Sequence, residues 1–223
     1  QGVSSAASDV YKRQAASGQK GRFEISGAHL WSAETPYLYT CKVSRGGEEL
    51  TEKFGIRTLE WSGKTGLLVN GKETLLRGGC IHHDNGVLGA CSFADAEERR
   101  VRILKSQGFN ALRMAHNPAS RSLLDACDRI GMYVMDEAFD GWYIPKEYHD
   151  YSRDFLSDYK SVLAAMVEND YNHPSVIMYS LGNEVTETAA KRGIELCAEM
   201  RDTVHSLDGT RPVTCGINVL LDV

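Results

Sequence analysis

VIMYSLGNEV, Val176 to Val185, is apolar at five of its first six residues and then breaks into Gly182, Asn183 and Glu184, where a carboxylate has to be accounted for. A short apolar run with β-branched and aromatic residues, preceded by NHPS and closed by Gly182, reads as a strand buried on both faces. Strands of that kind come from βαβ units, so the neighbouring sequence has to alternate between strand and helix.

It does so in both directions. Upstream, ETLLRGGCI (73–81) reads as a first strand, and Ser92 with Asp95 forms a capping box for a helix reaching Gln107 and closed by Gly108. FNALRM (109–114) is the next strand. Leu123, Cys127 and Ile130 mark a second helix that ends at Gly131 and hands over to the strand MYVMD (132–136). Phe155, Tyr159, Val162 or Leu163, and Met166 mark a third helix before the opening stretch. Beyond it, Ile194, Cys197, Arg201, Val204 and Leu207 trace a fourth helix, and RPVTCGI (211–217) a fifth strand. Right-handed βαβ units follow, and with them a parallel sheet.

Such a sheet is either doubly wound or a (β/α)8 barrel, and the polar residues favour the barrel. His82, His83 and Asp84 follow the first strand, and His116 and Asn117 the second. Asp136, Glu137 and Asp140 follow the third, Asn183 and Glu184 the fourth, and Asn218 the fifth. A barrel gathers all of these ends around one mouth, whereas an open sheet concentrates its site at one switch point. The expectation is therefore an α/β chain with a partial (β/α)8 barrel of about five strands over residues 63–223.

Residues 21–62 read differently. PYLYTCKVS, the turn Gly46-Gly47 and EELTEKFGIRTLEW are short strands of a small all-β unit. Residues 1–20 are taken as a tail without function. Within them Ser4 to Gln14, SSAASDVYKRQ, resembles the translated remnant of a sequencing adapter.

Composition excludes several classes. A net charge of -5 with scattered Lys and Arg gives no basic stripe for a nucleic acid. No apolar run approaches the roughly 20 residues of a membrane span, and the compartment is left open between cytoplasm and periplasm. The six cysteines show no C-x-x-C pair and read as reduced, packed side chains.

At the mouth, a carboxyl group held partly desolvated can keep a proton at neutral pH and give it to a leaving oxygen. Glu184 is the candidate, the alternative being a helix-capping role. Asn183 beside it suits a sugar hydroxyl, as does the pair His116 and Asn117, unless Asn117-Pro118 only makes a turn. His82, His83 and Asp84 form a hydroxyl clamp, a metal cluster or a satisfied loop. Adjacent histidines on an extended segment point to opposite faces, so no metal and no cofactor is expected. Trp142 either stacks on a sugar ring or closes a lid over the core, and Arg113 fits a barrel-interior charge that fixes nearby carboxylates.

In order along the chain, LWSAETPYLYT, KFGIRTLEW, LLVNGKETLLRGGCIHHDNGVLGA, GFNALRMAHNP, LLDACDRIGMYVMDEAFDGW and NHPSVIMYSLGNE resemble successive signatures of glycoside hydrolase family 2. The resemblance runs from about Gly27 to Asn218. It implies a retaining glycosidase acting on a β-linked glycoside or oligosaccharide, with an immunoglobulin-like β-sandwich ending near residue 62 and then a (β/α)8 barrel. It makes Glu184 the general acid/base, Asn183 and His116 sugar contacts, and His82 and Asp84 part of the same pocket. The family's nucleophile is a second glutamate at the end of a seventh strand, expected beyond Val223, so that this chain alone is expected to be inactive. The loops resemble most the β-galactosidase branch, with a β-glucuronidase or a non-catalytic carbohydrate-binding relative as alternatives, and a homo-oligomer is compatible with the whole protein. Some members bind magnesium through an acid and a histidine after the third strand. DEAFDGWY offers no histidine at that spacing, and the metal is not carried over.

Overall fold

A computed structural model of the chain describes residues 24–218, so the tail expectation for residues 1–20, the adapter-like Ser4 to Gln14 included, falls outside the described residues. Two strands, β1 (Tyr39–Arg45) and β2 (Glu48–Phe54), pair antiparallel across the Gly46-Gly47 turn. Next, β3 (Leu59–Ser62), β4 (Gly66–Val69) and the short β5 (Lys72–Glu73) form a three-stranded antiparallel sheet. The stretch ETLLRGGCI is thus divided: its first residue ends β5, and the barrel strand begins only at Gly78.

From there strand and helix alternate: β6 (Gly78–His82), α1 (Ala94–Ser106), β7 (Ala111–Ala115), α2 (Arg121–Ile130), β8 (Tyr133–Glu137), α3 (Ser152–Asp170), β9 (Val176–Ser180), α4 (Lys191–Leu207) and β10 (Val213–Thr214). Strands β6 to β10 lie side by side in chain order, and every pair is parallel. This is five consecutive strands of a (β/α)8 barrel, a curved arc with helices outside.

The pleat divides the side chains between two environments. Leu112, Met114, Val134, Val176 and Tyr179 enter one large core with the helices, together with Leu123, Leu124, Cys127, Leu163 and Met166. Each fully buried aliphatic side chain of this kind contributes about 1.5–3 kcal/mol relative to exposure. On the other face Ala111, Tyr133 and Ile177 meet Trp31, Ala33 and Val69, so the segment before the barrel forms its floor. Trp31 donates its indole hydrogen to the Asp128 carbonyl at 2.9 Å and meets Tyr133 edge-on at 5.7 Å. Arg57 bonds the carbonyls of Pro174, at 2.6 Å, and Val176. Gly131 closes α2 with φ +84°, and a Cβ there would lie 2.2 Å from the Ala33 carbonyl oxygen, so only glycine permits this approach.

Two expectations need correction. Ser92 does not cap α1: the helix starts at Ala94 without a side-chain cap, and the Ser92 hydroxyl bonds Glu97 Oε1 (3.1 Å) and Ser120 Oγ (2.7 Å), tying the starts of two helices together. The buried stripe of α4 is Gly193, Leu196, Met200 and Val204, not the one through Ile194 and Leu207, which are 58% and 42% exposed. Gly193 sets this rotation, because a Cβ there would lie 1.9 Å from the Glu187 carbonyl oxygen.

Candidate active site

At the carboxyl end of β8, Glu137 is fully buried. Such a charge is tolerable only when every lone pair is used. Oε2 accepts from Arg113 Nη2 (2.7 Å), Arg113 Nε (3.0 Å) and Ser180 Oγ (2.7 Å), while Oε1 lies 2.6 Å from His116 Nδ1. With a carboxylate facing it, Nδ1 of His116 carries the hydrogen and Nε2 is left as an acceptor. Burial lowers the proton affinity of Arg113, but hydrogen bonds to Cys80 and Glu137 outweigh it, and the guanidinium is held above its ordinary pKa.

The same guanidinium reaches the next strand. Arg113 Nη2 donates to Asn183 Oδ1 at 2.9 Å, and Asn183 Nδ2 donates to Asp140 Oδ1 at 3.1 Å. Asp140 also takes the Lys146 ammonium at 3.0 Å. Despite partial burial, these bonds from Asn183 and Lys146 hold its carboxyl below the usual aspartate pKa. Asn183 is thereby fixed at both ends of its amide.

Glu184 follows with φ +46°, the left-handed region that residues with a Cβ rarely occupy. Backbone bonds flank it on both sides: Val185 N donates to Gly216 O (2.9 Å) and Gly216 N to Gly182 O (2.8 Å). Gly182 is packed so closely that a Cβ would lie 2.8 Å from Trp142 Nε1 and 2.9 Å from Val185 Cγ1. The side chain of Glu184 is exposed rather than partly desolvated. It caps nothing either: the 3-10 turn Glu187–Ala189 and α4 both start without a side-chain cap. Asp84 Oδ1 accepts from Gly86 N (2.9 Å), Asp136 from Ala119 N (2.9 Å) and Glu187 from Ile144 N (2.8 Å). Among the described carboxylates at the strand ends, only Glu184 has no hydrogen-bonding partner.

Comparison with known families decides the class. A family model described as "Glycosyl hydrolases family 2, TIM barrel domain" matches residues 63–222, and one described as "Glycosyl hydrolases family 2" matches residues 1–57. The chain belongs to glycosyl hydrolase family 2. A Bacteroides ovatus protein named beta-galactosidase BoGH2A is 41% identical over 85% of this chain and 26% of its own length. A putative beta-glucuronidase of Formosa agariphila is 34% identical over 87% of this chain and 19% of its own. A crystal structure of a family 2 member from Bacteroides cellulosilyticus superposes with a TM-score of 0.80 at 47% identity, covering 85% of this chain and 25% of that one. This family 2 chain thus spans about a quarter of the length of such relatives.

Of the residues singled out in the sequence, His82, His116 and Asn183 are drawn into one chain of neighbours around Glu137, the rings of His82 and His116 meeting edge-on at 5.3 Å and Asn183 joined through Arg113, while Glu184 adjoins it only through the backbone of Asn183. Asp84 sits on the loop after β6, which Arg100 grips through the carbonyls of His82 and Asp84, both at 2.9 Å. Asn117 is exposed next to His116. Trp142 is the correction: it is 1% exposed, donates to the Leu181 carbonyl at 3.0 Å and lies against Phe155, so its faces belong to the core and not to a sugar. Sequence reasoning missed Lys146, which is bonded mainly to carbonyl oxygens, and it noted Glu137 without giving it a role. The signal available for Glu137 was the pair of bases Arg113 and His116 on and just after one strand, which call for an acid at the end of a neighbouring strand.

Proposed function

We propose that Glu184 is the general acid/base of a retaining β-glycosidase and that the substrate is a terminal β-D-galactoside. The observation that carries this reading is the contrast at the mouth between Glu184, which has no hydrogen-bonding partner, and Glu137, whose oxygens are all occupied. A proton donor has to present its carboxyl to the glycosidic oxygen, and a structural carboxylate cannot. In the first step Glu184 gives its proton to the departing oxygen as the bond to the anomeric carbon breaks. In the second, the carboxylate takes a proton from the water that attacks the same carbon. Retention requires a nucleophilic carboxylate about 5–5.5 Å away, which family resemblance assigns to a seventh strand. Asn183 and His116 line the approach, with Nε2 of His116 available to a hydroxyl.

A neutral sugar is favoured because the cations that follow or enter the strand ends around Asn183, namely Arg100, Arg113 and Lys146, are committed to protein oxygens. The test is steady-state kinetics of the intact glycosidase carrying this segment. Glu184→Gln is expected to cost about 10²–10⁴-fold on an alkyl β-galactoside and far less on a dinitrophenyl one, whose leaving group needs no proton, and azide should restore the second step. Equal turnover of variant and parent on both substrates overturns the assignment. Faster cleavage of the nitrophenyl β-glucuronide than of the β-galactoside overturns the choice of sugar.

A further inference from the structure

The loop between β8 and α3, residues 138–151, is built around one lysine. Asp150 accepts from the backbone nitrogens of Lys146 (2.7 Å), Glu147 (3.1 Å) and Ser152 (3.0 Å), and Tyr151 donates its hydroxyl to the Gly141 carbonyl at 2.7 Å. The Ser152 side chain first, and then the backbone nitrogens of Glu147, Ser152 and Lys146, hold the Asp150 carboxyl below its ordinary pKa, so it stays charged at neutral pH. The lysine stem crosses Gly141, where a Cβ would lie 3.3 Å from Lys146 Cε. Its ammonium has three hydrogens and three acceptors: Asn183 O at 2.7 Å, Asp140 O at 2.9 Å and Asp140 Oδ1 at 3.0 Å.

The Asn183 carbonyl belongs to the peptide that leads into Glu184. Rotation of that peptide plane couples the torsions on its two sides, and a flip would release Glu184 from its left-handed conformation. It would also turn the Asn183 oxygen away from the ammonium. Asn183 is otherwise held through its side chain and its N–H, which donates to the carbonyls of Phe139 and Asp140, and neither contact fixes the following peptide.

We propose that Lys146 is a positioning residue that locks the Asn183–Glu184 peptide and so keeps the Glu184 carboxyl presented to the mouth. The conformational claim stands on geometry alone, and only its kinetic consequence rests on the acid/base reading. Structures of the full chain with Lys146→Met and Lys146→Arg test it. The Met variant is expected to show the peptide flipped and φ of Glu184 negative, with the Arg variant close to the parent. A Met variant that keeps φ near its present value, or that moves only the 138–151 loop, overturns the proposal.

Should the Met chain not fold alone, the intact enzyme decides. There Lys146→Met is expected to lower kcat by about a hundredfold with KM little changed, and Lys146→Arg to restore most of it. A rise in KM with kcat preserved makes Lys146 a loop clasp only. If Glu184→Gln is silent while the Met variant flips the peptide, the acid/base reading fails and the positioning role survives.

Discussion

A buried carboxylate between an arginine and a histidine, as Glu137 is, can be removed only by leaving its donors unpaired. Glu137→Gln keeps the shape but takes away the charge that faces Arg113, and we expect it to lower the unfolding free energy by about 3–5 kcal/mol, measured by urea titration of the chain at pH 7. A loss below about 1 kcal/mol would mean that the pair behaves as a surface ion pair. The role of Arg113 was legible in the sequence, because a charge inside a strand that otherwise reads as buried must have a partner on the same face. Lys146 was not, because bonds to carbonyl oxygens leave no mark on the identity of their acceptors. Trp142 misled for a different reason: an aromatic near a barrel mouth can face the sugar or the core, and here Gly182 provides the space that lets the indole turn inward.

Between β8 and the end of α3, Asp136 and Asp170 meet with both residues fully buried and one oxygen of each without a partner. Burial first, and then the Asp170 charge, push Asp136 well above the ordinary aspartate pKa, and burial raises Asp170 as well. The native pair therefore keeps a proton that the unfolded chain releases at about pH 4. Its contribution to stability is whole below that pH and is lost as the pH rises toward the native value. Asp136→Asn replaces the shared proton by an amide that donates at every pH, and it is expected to gain about 1 kcal/mol over the parent at pH 8 with the gap closing by pH 5. Parallel urea midpoints at both pH values would refute the shared proton. Legibility at this scale is uneven. Helix α2 was readable because Leu123, Cys127 and Ile130 recur at helical spacing and Gly131 ends it, whereas in α4 two stripes share Val204 and each carries several apolar residues. Only the contact of Gly193 with the preceding turn selects between them.

The alternation of strands and the polar residues at their ends made the barrel legible from the sequence, since a parallel sheet buried on both faces leaves few other arrangements. The floor was not legible. Trp31 and Ala33 lie in what reads as the preceding all-β unit, yet they are 0% and 1% exposed against Tyr133 and Ile177. Trp31→Ala is expected to cost about 3–5 kcal/mol, with circular dichroism and the fluorescence of the two remaining tryptophans, Trp61 and Trp142, shifting at the same urea concentration. Two separate transitions would show that floor and arc fold independently. A groove of about 580 Å³ between Phe54–Leu59 and the loops at Tyr171–Pro174 and Gly209–Arg211 lies at this same end of the strands, away from Glu184. The shared floor also bears on how such a gene can be rearranged. A crossover placed at residue 62, where the sequence changes grammar, would cut the tip of the β3–β4 hairpin and give the incoming barrel a foreign tryptophan anchor, so viable chimaeras should inherit Trp31 together with the barrel strands it supports.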